Sequence, residues 1–154
     1  MSPDYRAASV ETIGTFGTAL VVAPSSALII KAEPLSNILL GRKTWEMRPK
    51  STKKRERIGL IRQGSSWIVG VATISRVEGP LSDAEIYASE HKHLVDRARF
   101  DNDVKANKRR YAWVLTDVHT LSTPVPYKPR TGAVQFVSLN EQERRDIQRA
   151  LRET

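Results

Sequence analysis

The sequence predicts an α+β fold: short strands around one core, carrying peripheral helices. Three observations predict it. Residues 57–62, Arg-Ile-Gly-Leu-Ile-Arg, alternate in the manner of a strand. Residues 67–77 are apolar on both faces, as a strand in a closed barrel must be, and Gly70 within them marks a bend. Ser82-Asp83-Ala84-Glu85 and Asn140-Glu141-Gln142-Glu143 have the form of helix N-caps. A chain of 154 residues with 40% hydrophobic content is most simply one globular domain.

The elements follow in order. Residues 1–26 are polar, rich in Gly, Ser and Thr and broken by Pro24, and are expected to form an arm with a short strand near Leu20-Val21-Val22. Ala27 to Lys31 is a strand. Pro34 to Leu40 is a short apolar helix, with Pro34 in its first turn and Gly41 as its stop. The strands at 57–62 and 67–77 come next. A helix runs from Asp83 to about His91, and the charged residues 96–110 form a helix or an exposed loop. These elements make residues 27–139 the expected domain. Residues 140–154 form a C-terminal helix whose apolar stripe is only Ile147, Ala150 and Leu151, so it should lie on the domain surface. There is no internal repeat and no low-complexity tract.

Residues 41–48 read Gly-Arg-Lys-Thr-Trp-Glu-Met-Arg. In a strand, Thr44, Glu46 and Arg48 fall on one face and Trp45 and Met47 on the other. The apolar pair should go inward. Lys43, Glu46 and Arg48 should gather beside the core and face a cleft, with Lys43 at its mouth. Lys43 could neutralise a phosphate or, with a depressed pKa, act as base or nucleophile. Glu46 could take a proton from a ribose hydroxyl or hold an exocyclic amine. A structural ion pair that holds the helix-to-strand corner would use the same residues.

This octapeptide resembles G-x-K-x-x-E-x-R, the signature of the ASCH domain, a small β-barrel of the PUA-like superfamily. Gly41, Lys43, Glu46 and Arg48 fill its four positions. Trp67 to Ile74 is similar to the long barrel strand of such domains. Tyr111 to Leu115 and Pro124 to Gly132 resemble the closing strand and loop of ASCH and EVE domains. The resemblance implies an RNA-related function: binding of RNA, single-stranded by preference, or of a modified nucleoside. The ligand would lie in a cleft lined by Lys43, Glu46 and Arg48, with the Tyr127 loop opposite. It also implies alternatives. The same cleft could hydrolyse single-stranded RNA, with Lys43 and Glu46 as catalytic groups. It could also serve an N4-acetylcytidine-type amidohydrolase, although that branch resembles G-x-K-x-x-T and this chain has Glu46 at the Thr position. A third reading is a protein-interaction adaptor.

Charge agrees with a polyanionic partner. The net charge is +8 and the pI about 10.0. Arg42, Lys43, Arg48, Lys50, Lys53, Lys54, Arg55 and Arg57 are opposed locally only by Glu46 and Glu56. A second cluster is Lys105, Lys108, Arg109 and Arg110, and a third is Lys128 and Arg130. Such clusters suit a phosphate backbone, since each contact releases counterions. Trp45, Trp67, Trp113, Tyr111 and Tyr127 are candidates to stack a base; Trp45 and Trp113 read as core, and Tyr127, between Pro126 and Lys128, is the better placed ring. His91, His93 and His119 have no metal-ligand spacing, so no metal site is expected. No cofactor is expected either, and a divalent metal enters only if the chain is a nuclease. With no cysteine there is no disulfide framework and no thiol nucleophile. No secretory signal is evident, Ala19 to Ala23 is too short an apolar run for a membrane span, and a cytoplasmic location fits.

Overall fold

The computed structural model describes residues 22–130, 132 and 135–153. Most of the expected N-terminal arm, including Leu20 and Val21 of its short strand, lies outside the described residues. The chain runs β1 (Ser26–Ile30), α1 (Ala32–Leu39), β2 (Trp45–Arg48), β3 (Arg57–Arg62), β4 (Trp67–Glu78), α2 (Asp83–Ala88), α3 (Glu90–His93), α4 (Arg97–Asn102), α5 (Val104–Asn107), β5 (Tyr111–Pro126), β6 (Phe136–Ser138) and α6 (Glu141–Arg152).

The six strands form one mixed sheet in the order β2-β5-β4-β3-β1-β6. β1 and β3 are parallel and the other neighbours antiparallel. The sheet curls into a half-barrel, and contacts between its two ends show this. Arg48 on β2 donates from Nη2 to the Ile29 carbonyl of β1, 3.2 Å away. The Trp113 ring of β5 stacks on Phe136 of β6, with centroids 5.8 Å apart and planes 8° from parallel. Bulges in the β4–β5 pairing between Ile68 and Gly70, Val71 and Thr73, and Ile74 and Arg76 help bend the sheet. At Gly70 the bend coincides with close packing. A Cβ there would come within 2.7 Å of Leu39 Cδ2 and 2.9 Å of the His119 carbonyl oxygen.

Strand alternation sends side chains to two apolar layers. Leu28, Ile30, Ile58, Leu60, Ala72, Ile74 and Trp113 pack with Leu35 and Ile38 of α1. Ala27, Ile61, Ile68 and Val71 pack with Ile147 and Ala150 of α6. This is why residues 67–77 are apolar on both faces. It also corrects the reading of α6 as a surface appendage. Ile147 is fully buried, and burying such a side chain contributes about 1.5–3 kcal/mol. A three-residue stripe suffices because it fills a gap in a layer otherwise built by the sheet. A third layer, Trp45, Met47, Ile86, Phe100, Ala112 and Val114, lies beneath α2 and α4.

Both expected caps form, and each is a capping box, at Ser82 with Glu85 and at Asn140 with Glu143. The helix expected to run to His91 stops at Ala88 and resumes at Glu90, and the charged stretch after it holds two short helices. Each of these begins at an aspartate, Asp96 or Asp103, whose side chain accepts from the first-turn N–H groups. Among the described residues no helix is long and apolar enough to cross a membrane.

Candidate functional site

The 41–48 segment is placed by the end of α1. Gly41 adopts φ +79°, a left-handed conformation that suits glycine at a helix stop. Its N–H donates to the Ile38 carbonyl at 3.0 Å, and the N–H groups of Arg42 and Lys43 both donate to the Asn37 carbonyl. The chain then turns into β2. Thr44 receives the Leu115 N–H at 2.8 Å, and β2 pairs with β5, Glu46 opposite Trp113 and Arg48 opposite Tyr111. Trp45 and Met47 go inward as expected.

The other face departs from the expected open cleft. Thr44 is exposed, but Glu46 is only 8% exposed and Lys43 only 6%. Lys43 therefore does not stand at a cleft mouth. Its Nζ donates to the His93 carbonyl at 2.6 Å and lies 3.9 Å from Glu46 Oε1. Arg48 forks onto Glu46, with Nε and Nη2 each 2.9 Å from Oε2, and its Nη1 reaches Gln135 Oε1 at 3.4 Å. The guanidinium also lies 5.5 Å from the centre of the Trp113 ring. One enclosed carboxylate thus faces two cations. Burial pushes the Lys43 ammonium below the usual lysine range. Glu46 opposes that shift, while the charges of Arg99, Arg109 and Arg48 add to it.

Sequence reading missed the His93 contribution, because no local pattern signals a backbone carbonyl fifty residues from the lysine it binds. The His93 ring is also committed. Nδ1 accepts the Val95 N–H at 2.9 Å, so the neutral ring carries its hydrogen on Nε2 and donates to the Ile86 carbonyl at 2.8 Å. Burial holds this imidazole below the usual histidine range. The Ile86 carbonyl opposes that, and the Lys43 charge reinforces it. The unfolded chain therefore takes up this proton at a higher pH than the folded one. Stability from His93 is complete above about pH 6.5 and declines as pH falls from there through the lower folded value. In denaturant titrations between pH 8 and pH 5, His93→Gln is expected to flatten the decline relative to wild type. Parallel curves would show that His93 does not drive it.

The other predicted ligand residues divide by location. Lys54 lies 5.1 Å from the centre of the Phe136 ring, on the stack that carries Arg48 over Trp113, so the 50–56 loop borders the cluster. Arg42 and Lys53 are exposed, and Arg55 hydrogen-bonds to carbonyls of its own loop. Arg109 is half-buried and acts on Lys43 through its charge, as does Arg99, which sequence reading did not select. Arg110 is spent on structure, with Nη1 2.5 Å from Asp83 Oδ1 and its guanidinium 4.7 Å from the Phe100 ring centre.

Tyr127, Lys128 and Arg130 follow the opposite end of β5, where Pro126 pairs with Trp67. Tyr127 is not a free loop ring. It packs against the α6 layer, and its hydroxyl donates to the Ser65 carbonyl at 3.4 Å. Arg130 is bound at 2.8 Å to Glu143, the buried carboxylate that also caps α6. Among the described residues, no three His, Cys, Asp or Glu side chains are grouped as metal ligands would be.

No protein-family model matches the chain, and no curated protein matches it in sequence. Its fold does match solved structures. ASCH from Zymomonas mobilis superposes with a TM-score of 0.60 at 13% identity, covering 79% of this chain and 92% of that one. A serine-to-alanine mutant of that protein gives 0.59 at 13% identity, covering 82% and 96%. A tyrosine-to-phenylalanine mutant gives 0.57 at 14% identity, covering 79% and 95%. The six-stranded half-barrel with its helices is an ASCH-type, PUA-like fold.

Proposed function

We propose that this ASCH-type chain binds RNA, single-stranded by preference, or a modified nucleoside, and that the Lys43–Glu46–Arg48 cluster receives an anionic group of the ligand. The observation that carries this reading is the imbalance of the cluster. Two cations share one carboxylate, and Arg99 and Arg109, whose charges Asp103 offsets in part, add positive field at Lys43. A phosphate would relieve that imbalance in surroundings where screening by water is weak. The exposed cations of the 50–56 loop would extend the contact along a backbone. Single strands suit the reading better than duplex, whose deep, narrow major groove admits no side chain.

Binding of a labelled single-stranded RNA should weaken with salt by about 0.7 log units per phosphate contact per decade of salt concentration. Lys43→Met keeps the length of the side chain without its charge and leaves Glu46 paired to Arg48. It should lower affinity at low salt and flatten the slope by about one contact. Affinity that is flat with salt in wild type, or equal in the two proteins, would count against the cluster as the ligand site.

One observation supports a hydrolytic alternative. A buried lysine with a lowered pKa is the form of the residue suited to act as base or nucleophile. Loss of full-length RNA on incubation with wild type but not with Lys43→Met would favour it. Intact RNA in both would favour a binder.

A further inference from the structure

We propose that Trp67 is a second, separate nucleic-acid contact, a stacking platform for an unpaired base at the far end of the sheet; this rests on the RNA-binding reading above. Trp45 and Trp113 are buried in the core, whereas Trp67 is 47% exposed. Among the described residues its indole has no hydrogen-bond partner and no ring contact. Of the exposed large hydrophobics among the described residues, Val22, Leu40, Trp67, Leu94 and Val104, it is the one with a π-face on which a base can stack.

The backbone under the ring is held on both sides. The Trp67 N–H donates to Ser65 Oγ at 3.3 Å, and Ser65 Oγ in turn donates to the Arg62 carbonyl at 2.7 Å. From the other side β5 clamps the turn. Trp67 pairs with Pro126, and the Tyr127 N–H donates to the Ser66 carbonyl at 3.0 Å. The backbone that carries the ring is thus fixed from both sides. A base landing on a ring set on a fixed backbone loses less entropy than one that must first order a loop.

The flanking charge selects the occupant. Arg62 ends β3 one step beyond the Ile61–Ile68 pair, which sets it across from Trp67, and Lys128 follows two residues after Pro126. Both are exposed, and neither has an ion-pair partner among the described residues. One ring between two free cations is too small for a protein interface, which needs about 1,000 Å². It does match a base with its adjoining phosphates. The motif cluster lies toward the other end of β4, where Glu78 pairs with Ala112, and a strand of that length spans up to roughly 35 Å. A strand bound at both sites would cross the sheet.

The test uses a short labelled oligouridylate and the same oligomer with abasic residues, titrated against wild type, Trp67→Ala and Trp67→Phe. Thermal melts should show all three folded, since Trp67 is outside the core layers. Trp67→Ala should weaken oligouridylate binding at least about fivefold, and Trp67→Phe should retain most of it. Abasic substitution should weaken wild type but leave Trp67→Ala unchanged, which a purely electrostatic contact would not do. Tight binding by wild type with no loss in Trp67→Ala would overturn this inference while leaving the proposed function standing. Absence of RNA binding by wild type would overturn both.

Discussion

Arg48→Ala is expected to destabilise the protein by about 3–5 kcal/mol, the usual cost of removing one partner of a buried ion pair. Arg48 and Glu46 side chains are only 14% and 10% exposed. Without the guanidinium, Glu46 keeps only Lys43 at 3.9 Å, which is also spent on the His93 carbonyl. The same change frees the Ile29 carbonyl, so the sheet ends lose a tie across the half-barrel. Arg48→Lys should recover part of the loss, because an ammonium cannot fork onto a carboxylate and still reach Ile29. Lys43→Met, Glu46→Gln and Arg48→Met together remove all three charges of the cluster, leave no buried ion unpaired and should be milder than Arg48→Ala. Urea titrations of the four proteins, compared at equal slope, decide it. If the triple variant is as damaged as Arg48→Ala, packing at Arg48 and not charge compensation holds this corner.

Trp113→Ala is expected to cost a similar amount, about 3–5 kcal/mol, through the cavity it leaves. Trp113 is 1% exposed, its Nε1 donates to the Lys50 carbonyl at 2.9 Å, and its face carries Phe136. The consequence should be local as well as global. β6 has three residues and, among the described residues, pairs only with β1, so the Trp113–Phe136 stack helps tie it to the far side of the sheet. Amide exchange at Phe136–Ser138 should accelerate more than at Ile58–Ile61 in the variant. Uniform acceleration would mean that β6 unfolds only with the whole domain. Trp113→Phe, which keeps the ring but not the donor, should lose about 1–3 kcal/mol, the cost of a carbonyl left without its partner.

These two expectations describe the same corner. Arg48 lies over Trp113, and the 50–56 loop presents Lys54 to the opposite partner of the stack. A ligand phosphate meeting Lys43 and Arg48 would therefore bear on groups that also close the sheet. The salt dependence in Lys43→Met, which leaves the Glu46–Arg48 pair in place, separates binding from closure.

Short-range chemistry made much of this legible in advance. The 57–62 strand, both helix caps, the Gly41 helix stop and the inward pair Trp45 and Met47 follow from periodicity and from local hydrogen bonding. Such signals act within a few residues, so sequence order contains them. The 41–48 pattern likewise marked the residues that converge at β2. What sequence order does not contain is which groups become neighbours when the sheet curls. Lys43 reads as an exposed cation until the carbonyl of His93 is folded over it. Tyr127 reads as the loop ring best placed to stack a base, yet tertiary packing lays it against α6 and leaves Trp67, on a strand, as the ring open to water. α6 reads as too polar to be core, yet its three apolar residues complete a layer that β1, β3 and β4 begin. The sequence by itself determined the elements, their caps and the basic character of the chain. The tertiary structure alone decided which charges are enclosed and which rings meet water, because burial is set by what packs on top of a residue from distant parts of the chain.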